Sequence, residues 1–145
     1  MNSEKHQELR TRTKTFALRV IRMSQALPRS REANVILNQV LRSATGMAAN
    51  YRAAGRSRSK AEFVAKIGVV VEEADETVFW LEMLADSGLV HPAKLQNLQA
   101  EAIQFSCDLY SFTQNRQKLG PRRHRPVLTI PIPRDYGDYA RFRRS

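Results

Sequence analysis

Four long stretches of this chain are almost free of glycine and proline, and in each the apolar residues recur at alternating steps of three and four. The first gives Leu9, Thr13, Phe16, Val20, Met23 and Leu27; the second gives Ala33, Leu37, Val40, Ala44, Met47 and Tyr51. The third gives Phe63, Ile67, Val70, Ala74, Thr77 (or Val78), Leu81 and Leu84. The fourth gives Leu95, Leu98, Ala102, Phe105, Leu109 and Phe112, then Leu119 after a polar skip at Arg116. Such a spacing lays one apolar seam along a helix and lets helices pack about 20° from antiparallel. Period-two alternation is sustained nowhere, which excludes a sheet.

Punctuation separates the four stretches. Leu27-Pro28-Arg29-Ser30, Gly55-Arg56-Ser57-Arg58-Ser59 and Ser87-Gly88-Leu89-Val90-His91-Pro92 break the pattern, and the composition changes after Gly120-Pro121. Ser30 can cap the second helix. Ser59-Lys60-Ala61-Glu62 reads as a capping box in which Ser59 and Glu62 satisfy each other's amides. Gly88 suits a left-handed helix end, and Pro92 suits the first position of the fourth helix. Helix three, from about Lys60 to Asp86, spans roughly 40 Å. Short connections make neighbours antiparallel, so the expected fold is all-α: an up-down-up-down four-helix bundle over 1–119, followed by a basic extension over 120–145. Leu18, Ile21, Val64, Val71 and Phe79 lie off the seams. They either widen the core stripe or form a second buried face, the interface of a homo-oligomer.

At 145 residues the chain is long enough to bury one core. It carries 24 Lys+Arg against 14 Asp+Glu, a net charge of +10. That balance favours an acidic partner, most simply nucleic acid. No run is long and apolar enough to span a membrane. The polar stretch Met1 to Arg12 gives no secretory signal. A single cysteine, Cys107, suits a reducing cytoplasm and is expected in the core beside Phe105.

Three charged groups stand out. The first is basic: Arg42, Arg52, Arg56, Arg58, Lys60 and Lys66, with Ser57 and Ser59 among them, opposed only by Glu62. At one end of a bundle such a group would attract phosphate; the plainer alternative is a solvated face. The second is acidic: Glu72, Glu73, Asp75, Glu76, Glu82 and Asp86 on helix three. A di-metal carboxylate bundle needs Glu-x-x-His motifs, and none occurs; His6, His91 and His124 lie in or near loops or termini. No metal or cofactor is therefore expected. The carboxylates read instead as ion-pair partners of helix-two arginines or of another subunit, setting register more than stability. No nucleophile–base arrangement or phosphate loop is found, and no enzymatic activity is expected. The third group is the extension, with seven arginines and two aspartates. Its prolines forbid a regular helix. Arg122, Arg123, Arg125, Arg141, Arg143 and Arg144 interleave or neighbour Tyr136, Tyr139 and Phe142, a pattern suited either to single-strand binding or to a plain solubilising tail.

Residues 16–117 resemble a known family: the small four-helix-bundle proteins encoded by intervening sequences in bacterial 23S ribosomal RNA genes, with the accessory protein of diversity-generating retroelements as a distant relative. The resemblance rests on Leu27-Pro28, Gln39-Val40-Leu41-Arg42-Ser43-Ala44, Ala49-Asn50, Arg58-Ser59-Lys60-Ala61-Glu62-Phe63 and Glu76. Where the family commonly closes helix two with Asn-Ile-Ala-Glu-Gly, this chain has Asn50-Tyr51-Arg52-Ala53-Ala54-Gly55; where many members have Gly-Ser, it has Glu72-Glu73. The double change suggests an ion pair between Arg52 and Glu72, Asp75 or Glu76. The resemblance implies a homo-oligomer, a pentamer by preference, without enzymatic activity. By analogy with the retroelement relative it adds a reverse transcriptase as a possible partner and RNA as the nucleic acid. A protein-interaction scaffold without nucleic-acid binding is the alternative.

Overall fold

The structure, a computed structural model, describes residues 3–27 and 29–117, and the side chains of 4–27 and 29–111. Four helices account for nearly all of them: α1 Ser3–Gln25, α2 Arg31–Ala54, α3 Lys60–Asp86 and α4 Pro92–Gln117. The extension 120–145, with its arginines and aromatic residues, lies outside the described residues, as do the side chain of Phe112 and all of Leu119.

The seams are the core. Phe16, Val20, Val40, Ala44, Met47, Val70, Ala74, Leu81, Leu84, Leu95, Ala102, Phe105 and Leu109 have no exposed surface. Thr13, Ser43, Thr77 and Ser106 are buried as well. Each of these hydroxyls reaches a carbonyl one turn back in its own helix, at 2.7–3.4 Å, so none is a buried donor without a partner.

Caps terminate the helices largely as expected. Ser30 accepts from the Ala33 amide at 3.1 Å and Ser59 from the Glu62 amide at 3.1 Å. The box at Ser59 differs in one partner. Glu62 Oε2 accepts from the amide of Arg58, at 2.8 Å, rather than from that of Ser59. It thereby ties the connection to the helix instead of closing on the cap. Gly88 ends α3 with a φ of 73°, where a side chain would be strained.

The helices follow one another around the bundle: α2 packs against α1 and α3, and α3 against α4, while α1 and α4 form the loosest of the neighbouring pairs. Side chains close that last seam. The Phe16 and Phe105 rings meet edge to face with centroids 5.5 Å apart. The Arg12 guanidinium lies 5.1 Å from the Phe105 centroid and 3.6 Å from Asp108, and Arg19 pairs with Glu101.

Cys107 corrects one expectation. It is exposed, because a residue two places beyond the core residue Phe105 points more than half a turn away. Partial burial and the charges of Asp108 and Asp75 raise its thiol pKa.

Candidate nucleic-acid interface

Antiparallel pairing brings three chain segments to one end of the bundle: the first turns of α1, the last turn of α2, and the connection 55–59 with the start of α3. Between them lies a cleft of about 800 Å³. Arg10, Arg52, Arg56, Arg58 and Lys60 line it, together with His6, Gln7, Tyr51, Ser57, Ser59 and Phe63. No carboxylate lines it among the described residues. Among the described residues none of the five cations is within ion-pair distance of an acid. Like charges gathered in one concavity repel, and an anion relieves that repulsion.

The inner wall is aromatic and hydroxylic. Tyr51 is buried, and its hydroxyl lies 3.1 Å from His6 Nδ1. Burial pushes the Tyr51 pKa up to about 12, so the phenol keeps its proton at neutral pH. The His6 ring stands edge-on to Phe63 with centroids 5.6 Å apart. Ser57 Oγ is buried without a hydrogen-bond partner among the described residues, a condition that ordinarily costs about 1–3 kcal/mol.

The six expected cations divide. Arg52, Arg56, Arg58 and Lys60 come together at the cleft; Arg42 and Lys66 do not. Lys66 Nζ lies 3.6 Å from Glu62, one turn back. Arg42 sits midway along α2, where it hydrogen-bonds Glu76 and lies 3.8 Å from Glu73. The ion pair to α3 therefore belongs to Arg42, not to Arg52. The physical reason is register: Arg42 lies level with Glu76, and Arg52 is about 15 Å nearer the connection. Glu72 and Asp75 are both exposed on α3.

The Arg42 partners are tuned in opposite directions. The hydrogen bond from Arg42 holds the Glu76 carboxyl below the ordinary carboxylate range. Trp80 Nε1 donates a further bond to Glu76, at 3.1 Å. Burial pushes Glu73 up, although Arg42 pulls the other way. Glu73 Oε2 is buried and has no hydrogen-bond partner among the described residues.

The proposed interface residues also divide. Leu18 is 42% exposed and Phe79 is 50% exposed. Ile21 and Val64 are half-buried, and Val71 packs against the core. Val35 and Met83 are exposed apolar residues that the off-seam reading missed. His6, Gln7 and Arg10, all from α1, are the cleft residues that the basic-cluster reading missed. Counting back equally from the α1–α2 connection places His6 within one residue of level with Tyr51, whereas equal counting from the α2–α3 connection places Arg42 level with Glu72, one turn short of its partner Glu76. The signal was the hairpin itself.

The fold has known counterparts. A crystal structure of a protein of unknown function from the S23 ribosomal protein family, from Bacteroides thetaiotaomicron, superposes with a TM-score of 0.68. It is 27% identical, and the match covers 72% of this chain and 97% of that one. No curated protein matches this chain. The model of the 23S rRNA-intervening sequence protein family matches residues 5–111, which include all but the first two residues of α1, all of α2 and α3, most of α4 and the cationic cleft. On that match, and on the seams and caps that produce the four helices, the chain belongs to the 23S rRNA-intervening sequence protein family.

Proposed function

We propose that this protein is a non-enzymatic, self-associating bundle that binds RNA through the cleft at the α1–α2–α3 end. One observation carries the reading: Arg10, Arg52, Arg56, Arg58 and Lys60 converge on one concavity that no carboxylate lines among the described residues. Phosphate is the abundant anion that such a group neutralises, and counterion release supplies the free energy. The family's origin in ribosomal RNA genes favours RNA over DNA. The arginines of the extension add a second basic set by sequence.

Self-association is proposed through the large apolar side chains left exposed, Leu18, Val35, Val69, Phe79 and Met83, since apolar surface held in water favours a partner. The binding test is a salt titration with RNA and duplex DNA. Six or more phosphate contacts predict a loss of roughly a thousandfold in affinity between about 50 and 200 mM salt. Absent or salt-insensitive binding would favour a protein-interaction scaffold instead.

A further inference from the structure

We infer that the cleft admits unpaired nucleotides, so that the RNA feature recognised is a loop, bulge or strand end rather than uninterrupted duplex. This rests on the RNA-binding reading and narrows it.

Size comes first. At about 800 Å³ the cleft falls within the roughly 300–1,000 Å³ of concavities that enclose small ligands. An RNA duplex keeps its bases stacked and paired inside an A-form helix and is too broad to enter a space sized for a small ligand. It could touch only the rim. One or two nucleotides turned out of a helix fit the space, and unpaired segments are where proteins ordinarily read RNA.

The lining has the chemistry of a nucleotide at its two ends. Arg56, Arg58 and Lys60 come from the connection and the start of α3, and they offer charge to phosphate. His6 and Phe63, whose rings meet edge to face, add aromatic surface to the same lining beside the buried Tyr51. An aromatic ring or an arginine plane provides the stacking surface for a splayed base. A buried hydroxyl completes the lining: Ser57 Oγ has no partner among the described residues, whereas the Tyr51 hydroxyl is already engaged by His6. A duplex held at the rim would not reach Ser57.

The experiment measures fluorescence anisotropy of the full chain with three RNAs of equal phosphate number. One is an uninterrupted hairpin, one the same hairpin with a two-nucleotide bulge, and one an unstructured single strand. The bulged and single-stranded forms should bind at least about tenfold more tightly than the uninterrupted hairpin at equal salt. Arg56→Gln with Lys60→Gln changes exposed side chains that make no ion pair, and should abolish that preference while leaving the melting temperature unchanged. Equal or tighter binding to the uninterrupted hairpin would overturn the inference and leave the RNA-binding reading standing. A preference that survives the double variant would place recognition outside the cleft and overturn it too. No binding to any of the three would overturn the RNA-binding reading itself.

Discussion

A Cβ at Gly46 would sit 2.9 Å from the Cδ and Oε1 of Glu73. The absence of a side chain there is what lets a carboxylate settle against α2. The carboxylate is largely withdrawn from water, so its neutral form is favoured and its pKa is raised. A folded-state pKa above the unfolded value gives stability that is complete below the unfolded value and lost as pH rises through the folded one. Glu73→Gln should therefore raise the melting temperature at about pH 7 and leave it unchanged near pH 3. A lower melting temperature at neutral pH would mean that Arg42 holds the ionised form in place. Glu76, one turn on, has the opposite sign. Its pKa is lowered, so its contribution is present above the unfolded value and is lost as pH falls through the folded one. Glu76→Gln should lower the melting temperature at neutral pH, and the difference should vanish in acid. An unchanged neutral-pH melting temperature would show that solvent screens the Arg42 bond away.

At the scale of the helix, the N-cap of α3 links stability to the cleft. Ser59 accepts the Glu62 amide, and the turn it holds carries Lys60 and Phe63. Ser59→Ala should cost about 1 kcal/mol in denaturant unfolding and weaken RNA binding through the loosened wall. Unaltered stability would show that the Glu62–Arg58 bond alone holds the turn. The α1–α4 seam depends on fewer contacts, with Phe105 at its centre. Phe105→Ala should cost about 3–5 kcal/mol, and a cost below about 1 kcal/mol would mean that this seam adds little to the core. The seams themselves were legible in the sequence because alternating three-and-four spacing needs no knowledge of a partner. Caps and breaks were legible for the same reason, being local. Pairing across helices was less so. The gain of Arg52 and of Glu72-Glu73 suggested one ion pair, whereas register gave it to Arg42 with Glu76 and Glu73. His6 and Arg10 are far in sequence from the connection 55–59, so only the folded hairpin gathers them into the site.

Considered whole, the molecule separates its charges. Acids of α3 and α4 neutralise Arg12, Arg19 and Arg42 along the helices, whereas among the described residues the cleft cations at the α1–α2–α3 end make no side-chain ion pair, Glu62 being bonded to the Arg58 amide and paired with Lys66. Phe79, Val35 and Met83 leave apolar surface elsewhere. Phe79→Asp should reduce the mass measured by light scattering without unfolding the chain; a monomeric wild type would remove the self-association reading. The most direct test of the cationic cleft is the slope of log affinity against log salt for a single-stranded RNA, in wild type and in Arg52→Gln/Arg56→Gln/Arg58→Gln. Each phosphate contact on a single strand contributes about 0.7 to the slope. The triple variant should therefore lose about 2 from it while folding normally. An identical slope in the two proteins would contradict the account.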